Sequence, residues 1–259
     1  NEAFKNFEAE GISQSDLNRI KAGQETAFYT NLSSVLGKGF QLAQYEIFAG
    51  TPDYINQDVK NILAVNTEDV MRVYQKYIKG KHFVATSFVP KGEANLILSG
   101  STLAAVIEEK IIEGKEDAFD ASIVATYDKT PSKFDRSVEP AYGESPDVKL
   151  PTVWKSKLSS GLNALGIENH EVPLVQFQLQ IKGGMLLEEA NKIGVSHMLA
   201  ELMTKGTKNK TPEQLENAIE SLGATIKAYA SDESIFISGN TLAKNYAATM
   251  ALVQEIILE

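Results

Sequence analysis

The sequence predicts an α+β fold, with antiparallel-type sheets and helices packed on one face. Three observations lead to this prediction: helix periodicity over residues 13–78, strand-like runs over residues 153–182, and helices that flank a hairpin over residues 193–258. A run of helices followed by strands and helices that are neighbours in sequence is typical of this class.

The first part of the chain is predicted to be helical. Ser13 can cap a first helix, because its side chain can accept hydrogen bonds from the free backbone N–H groups of the first turn. Gly37 and Gly39 are expected to break the chain before a second helix over residues 40–48, and a third helix is expected over residues 54–63. The apolar positions of the first helix, Leu17, Ile20 and Ala27, fall on roughly one face.

A fourth helix is expected to start at Asn66 or Thr67. Its apolar residues recur at i, i+3, i+4, i+7 and i+8, which places them on one helix face. They are Val70, Val73, Tyr74, Tyr77 and Ile78. The apolar, β-branched run over residues 82–89, which Pro90 stops, is typical of a strand.

Residues 91–151 carry the weakest pattern. A helix is expected over residues 103–113, and the remainder is rich in charge and proline. Because so long an irregular segment is uncommon inside a compact domain, we expect a connector here. The predicted organisation is a mostly helical domain over residues 1–91, a linker over residues 92–151, and a further domain over residues 152–259.

The last part of the chain combines strands and helices. In residues 175–182 apolar residues alternate with glutamines, so one face of that strand should be buried and the other solvated. Thr211 is expected to cap a helix, with Gln214 completing a capping box. The expected strands cover 153–158, 163–169, 175–182, 224–230 and 234–239, and the expected helices cover 193–203, 212–222 and 242–258.

Composition restricts the classes of function. The net charge of −9 argues against non-specific binding to nucleic acid or anionic membranes, and the lysines of residues 205–210 are interpreted as part of a solvated loop. No apolar run reaches the roughly 18–20 residues that cross a bilayer. Since the chain has no Cys, any transition-metal site would have to use His82, His170 or His197 together with carboxylates.

Residues 194–207, G-V-S-H-M-L-A-E-L-M-T-K-G-T, resemble the inverted zinc-binding helix of the pitrilysin/insulinase family of metallopeptidases, whose pattern is G-V-x-H-x-x-E-H followed by K-G-T. In that motif two His hold zinc and the Glu polarises the attacking water. His197 keeps the first ligand position, but Ala200 replaces the general-base Glu and Glu201 replaces the second His. With the third ligand expected beyond residue 259, the resemblance implies neither a catalytic site nor a bound metal in this chain.

Further segments extend the resemblance over most of the chain. L-S-S-G-L at 158–162 is similar to the family's L-x-N-G-L turn, and G-A-T-I-K-A-Y-A at 223–230 is similar to its G-x-x-x-N-A-aromatic-T strand. Residues 12–90 resemble the closing helices and last strand of the family's other domain type. The resemblance implies metallopeptidase-like (mitochondrial processing peptidase/LuxS-like) domains. They would span the junction between two halves of a longer protein, and the missing initiator Met agrees with that expectation.

The function implied by this resemblance is non-catalytic. The chain would shape a peptide-binding chamber for proteolysis carried out by another half of a zinc metalloendopeptidase, where the zinc is expected. The expected partners are peptide or unfolded polypeptide substrates and other domains of the same long chain, not nucleic acid. In this family the strand matching 224–230 lies open at a sheet edge and pairs with substrate, which marks Ala228 and Tyr229 as substrate contacts; a strand whose edge is merely covered is the alternative.

A second interpretation is a scaffold or processing-type partner subunit, which binds peptides or proteins with no protease activity in its own chain. An intact H-x-x-E-H upstream of Asn1 would favour the first interpretation. For His197 we favour a structural role over a weak ligand role shared with Glu201, and His82 and His170 are also interpreted as structural or exposed. The sequence does not identify a compartment, and among compartments we favour the bacterial periplasm or cell envelope.

Overall fold

The computed structural model describes residues 2–102, 135, 137–139, 141–145, 147 and 149–259. The chain divides into two compact units, Asn1–Lys81 with Thr152–Glu259, and His82–Pro151. Residues of the first and third predicted domains therefore lie in the same unit. The assignment of these two domains to different halves of a longer protein stays a prediction. The helix predicted over 103–113 lies outside the described residues.

Five helices form the first part of the larger unit: α1 Glu2–Glu10, α2 Gln14–Leu32, α3 Val35–Ala49, α4 Ile55–Ala64 and α5 Thr67–Tyr77. The predicted cap of α2 is confirmed, since the Ser13 side chain accepts a hydrogen bond from the backbone N–H of Asp16. Asn66 caps α5 in a reciprocal capping box with Asp69. Local hydrogen-bonding chemistry thus decides where these helices begin.

The expectation that Gly37 and Gly39 break the chain was wrong, because both lie inside α3. Ser34 caps α3 by accepting from the backbone N–H of Gly37. A Cβ atom at Gly37 would collide with the backbone carbonyl oxygen of Asn31 at the end of α2. Glycine is therefore required here for the close approach of two consecutive helices.

The apolar face predicted for α5 is only partly buried. Tyr74 is in the core, with its ring edge-on to Phe7 at a centroid distance of 5.0 Å. Tyr77 and Ile78 are exposed, so the prediction of a core role for Tyr77 was wrong. Helix spacing specifies a face, but the neighbours that cover it are set by tertiary packing.

The predicted strand over residues 82–89 was also wrong, because these residues are irregular. Phe83, Val84 and Phe88 are almost fully exposed. A strand exists only through hydrogen bonds to a neighbouring strand, and no residue in the described part of the chain pairs with this segment.

The remaining strands confirm the predicted α+β class. They are β1 Val153–Lys157, β2 Asn163–Ile167, β3 Leu174–Lys182, β4 Thr225–Ala230 and β5 Ser234–Leu242. The first two form an antiparallel hairpin, and the other three form an antiparallel sheet in the order β3-β5-β4. The helices are α6 Val195–Met203, α7 Pro212–Ser221 and α8 Tyr246–Leu258. The last helix starts later than predicted because β5 continues to Leu242, which pairs with Leu174.

The core lies between one face of the three-stranded sheet and the helices α7 and α8. Its buried members are Leu215, Ile226, Ile237, Val253 and Ile256. Phe177 and Leu179 of β3 pack against this cluster, whereas Gln176, Gln178 and Gln180 are exposed. The predicted alternation of β3 is therefore confirmed at Phe177 and Leu179, whereas Ile181, which the pattern also placed on the buried face, is 38% exposed. We call the glutamine-bearing side the outer face of the sheet.

Helix α2 packs against the sheet-bearing part through polar contacts. The Thr26 hydroxyl donates to the carbonyl oxygen of Gly223 at 2.7 Å, and the guanidinium of Arg19 lies 2.7 Å from the Glu220 carboxylate. Lys244 binds both carboxylate oxygens of the buried Glu25, at 2.8 and 2.7 Å. Among the described residues, no helix is long and apolar enough to span a membrane.

Candidate functional site

The helix that carries the zinc-type motif is held at its N-terminus by Glu188. This carboxylate accepts hydrogen bonds from the backbone N–H groups of Gly194 at 2.6 Å and Ser196 at 2.7 Å. These bonds hold the pKa of Glu188 below its ordinary value, Gly194 having the larger effect. Glu188 thus caps the N-terminus of α6 although it lies outside the helix, and the helix dipole favours a negative charge at this end.

The three motif positions of α6 have different surroundings. Ala200 is only 1% exposed, whereas His197 and Glu201 both face solvent. The Glu201 carboxylate lies 3.4 Å from the ammonium group of Lys205, one helical turn further on. A buried methyl group cannot accept a proton from water, so the general-base position of this helix supplies no base.

The donors on α6 do not fit the zinc site that the family motif implies. A catalytic zinc site needs three protein ligands, and His197 with Glu201 would supply two. Within the described ranges, no group of three or more His, Asp or Glu residues is arranged to hold a metal ion. His170 is exposed and lies 3.5 Å from Glu168, and His82 is exposed in the smaller unit. The absence of a metal from this chain stays a prediction.

The K-G-T turn after α6 is a structural clamp that the sequence analysis missed. Thr207 donates its hydroxyl to the Glu255 carboxylate at 2.7 Å and accepts from the backbone N–H of Lys210 at 3.0 Å. The ammonium group of Lys210 lies 2.6 Å from the same carboxylate. Lys210, and then Thr207, hold the pKa of Glu255 below its ordinary value.

This clamp corrects the interpretation of residues 205–210 as a solvated loop. Lys205 and Lys208 are exposed, as expected of a solvated loop, but Lys210 is half-buried against α8. The signal that could have revealed the clamp is Glu255 itself, a lone acid among the apolar residues of the last helix. Glu188 likewise could have been noticed as an acid that precedes a helix whose N-cap residue is a glycine, which has no side chain to cap it.

Strand β4 forms one edge of the three-stranded sheet, and α6 packs mainly against this strand. Successive residues of a strand point to opposite faces. Ala228 is half-buried against the core, while Tyr229 lies on the outer face with Lys227. The two residues predicted to contact substrate therefore lie on opposite faces of the same edge strand, and their contact with substrate stays a prediction.

Tyr229 is fixed in position by its neighbours. Its ring stacks on Phe236 of β5 at a centroid distance of 5.1 Å, with an interplanar angle of 18°. The hydroxyl accepts a hydrogen bond from the side-chain amide of Gln178 at 3.0 Å. A side chain held by both stacking and a hydrogen bond presents a constant surface to a ligand.

A groove of about 500 Å³ runs across the outer face next to Tyr229. Its lining includes hydroxyl, amide and ammonium groups, which belong to Gln176, Gln178, Thr225, Lys227, Ser238 and Asn240. Such groups can donate and accept hydrogen bonds in many directions. The outer face is therefore suited to a polar ligand.

Comparison with known proteins connects this part of the chain to one family. Residues 164–259 match the model of Insulinase (Peptidase family M16). The chain is 29% identical over 102 residues to an uncharacterized zinc protease of Rickettsia bellii, a match that covers 39% of this chain and 25% of that protein. It is 26% identical over 144 residues to the mitochondrial-processing peptidase subunit beta of Dictyostelium discoideum, covering 53% of this chain and 29% of the relative.

A solved structure, the peptidase M16 inactive domain from Pseudomonas fluorescens, is 20% identical and aligns with a TM-score of 0.39, covering 41% of this chain and 26% of that chain. The chain spans little more than a quarter of the length of the curated relatives named above. The family match includes α6, the K-G-T clamp and the edge strand β4. Residues 164–259 of this chain are therefore similar to the insulinase family, peptidase family M16.

Proposed function

We propose that this chain is a non-catalytic part of a zinc-metallopeptidase-family protein, and that it binds extended peptide at the free edge of β4. In doing so it would shape a peptide-binding chamber for proteolysis by another half of a longer protein. The observation that carries this proposal is that α6 packs against the edge strand β4 while the buried Ala200 stands at the general-base position of α6.

The edge of β4 has the chemistry that peptide binding requires. One side of β4 pairs with β5 from Thr225–Asn240 to Ala230–Ile235. On the opposite side, alternate residues direct their backbone N–H and C=O groups away from the sheet, and in the described part of the chain no strand pairs with them. An extended peptide can satisfy these groups by adding one strand, a common mode of peptide recognition.

A non-catalytic role agrees with the surroundings of α6. Ala200 cannot act as a base, and the carboxylate of Glu201 is ion-paired with Lys205. We expect the purified chain, supplied with Zn²⁺, to leave a quenched-fluorescence peptide uncleaved. Chelator-sensitive cleavage together with one zinc bound per chain would overturn the non-catalytic assignment.

The edge-binding proposal is tested with a labelled β-forming peptide and two versions N-methylated on alternate residues. N-methylation on the edge that faces β4 removes the N–H donors of that edge and places methyl groups against β4, so we expect the Kd from fluorescence anisotropy to rise about tenfold or more. Methylation of the other edge changes no side chain and should leave the Kd unchanged, which makes it the matched control. Equal effects from both methylation patterns would contradict strand addition.

The second candidate is a scaffold or processing-type partner subunit. It is favoured by the similarity to a relative that is named as a subunit of a processing peptidase. Both candidates predict peptide binding at β4, and the sequence of the intact protein upstream of Asn1 separates them. An H-x-x-E-H helix there supports a chamber with its own active half.

A further inference from the structure

We infer that Lys227 and Tyr229 make the β4 edge selective for peptides with an acidic residue and an aromatic residue two positions apart. This inference rests on the proposed function and specifies the peptides that the edge would bind. It depends on two of the side chains that β4 directs to the outer face.

The first element is the charge of Lys227. In β4 it pairs with Ser238 of β5, which in turn pairs with Gln178 of β3, so its cross-strand neighbours are uncharged. Among the described residues, no carboxylate forms an ion pair with Lys227. An added strand would place a side chain directly opposite Lys227, with Cβ atoms about 4.5–5.5 Å apart. A carboxylate in that position would find an ammonium group free to pair.

The chain's overall charge of −9 works against acidic ligands, but only weakly at this site. At physiological ionic strength charges separated by more than about 8 Å are largely screened. The contact with Lys227 falls within that distance. We therefore expect the local charge to decide the preference, and we expect the preference to shrink at high salt.

The second element is the fixed ring of Tyr229. Its side chain remains 44% exposed although it is stacked on Phe236 and bonded to Gln178. Residues two apart in a strand lie on the same face, so the peptide residue opposite Tyr229 is two positions from the residue opposite Lys227. Aromatic pairs across strands are among the favourable cross-strand pairs. Since the ring is already held in place, little side-chain entropy is lost on binding.

The test uses fluorescence anisotropy with labelled peptides of Thr and Val that carry Phe and, two residues away in either direction, Glu, Gln or Lys. A cross-strand pair of opposite charge should lower the Kd of the Glu peptide between about 1.5-fold and 5-fold relative to the Gln peptide. Lys227→Gln should remove this difference, and Lys227→Glu should reverse it in favour of the Lys peptide. Lys182→Gln, at the opposite edge of the same face, is the control and should keep the preference.

A parallel pair of variants tests the aromatic preference. Tyr229→Leu should remove the advantage of Phe over Leu in the peptide, whereas Tyr246→Leu, at the start of α8 and 42% exposed, should keep it. Circular dichroism checks that each variant is folded. If the Kd values are insensitive to Lys227 and Tyr229 while the N-methylation effect persists, the selectivity is wrong and edge binding stands. If no peptide binds, both are wrong.

Discussion

Replacing Ile237 with alanine tests the arrangement of the sheet on which the proposed site depends. Ile237 lies at the centre of β5, pairs with Leu179 on one side and Ala228 on the other, and is 0% exposed. The substitution removes three buried carbon atoms at about 0.8 kcal/mol each, or about 2.4 kcal/mol. The cavity left behind adds to this, so we expect a loss of about 2.5–5 kcal/mol in the free energy of unfolding.

Urea unfolding monitored by far-ultraviolet circular dichroism measures this change through the shift in midpoint at constant slope. The matched control is Ile193→Ala, because Ile193 is 81% exposed and surface substitutions usually change stability by less than about 0.5 kcal/mol. If the two variants lose the same stability, Ile237 is not at the centre of a packed core, and the placement of β4 beside β5 would be wrong.

Three further substitutions test single contacts. The pKa of Glu188 is lowered from 4.5 in the folded protein, so its contribution to stability is present above pH 4.5 and is lost as pH falls through the lower folded pKa. Glu188→Gln should therefore lower the melting temperature at pH 7. The melting temperature of this variant should also decrease less than that of the unchanged protein as the solution is made acidic. Ala200→Glu should destabilise the fold by about 3–5 kcal/mol, because an unpaired carboxylate would be buried, and should produce no peptide hydrolysis in the assay above. Gly223→Ala places a Cβ atom 2.5 Å from the Thr26 hydroxyl at a φ of +59°, so we expect a loss of about 1–3 kcal/mol in urea unfolding. A loss below about 0.5 kcal/mol for either of the last two would contradict the packing described for that residue.

The degenerate character of α6 could be read from the sequence, because it depends only on which residues stand at the motif positions. The ion pair of Glu201 with Lys205 required the structure, because the i, i+4 spacing allows this contact but does not require it. The partition of Ala228 and Tyr229 between two faces follows from strand geometry, but which face is covered depends on α7 and α8. The stacking of Tyr229 on Phe236 and its bond to Gln178 required three strands to be placed side by side.

The sequence was sufficient wherever the cause of a structure is local. Ser13, Asn66 and Thr211 each bond to a backbone group three residues away, and the alternation of β3 shows in the eight consecutive residues 175–182. These interactions form within one turn or one strand, so the local sequence is sufficient to predict them.

Only the tertiary structure decided the features whose partners are distant in the chain. The Lys210–Glu255 clamp joins residues 45 positions apart, and the Thr26–Gly223 bond joins residues 197 positions apart. Residues 82–89 have a strand's composition but are irregular, since pairing and burial need a neighbour that composition does not supply. The edge position of β4, on which the proposed function depends and which the resemblance implies, is established among the described residues by the strand order β3-β5-β4.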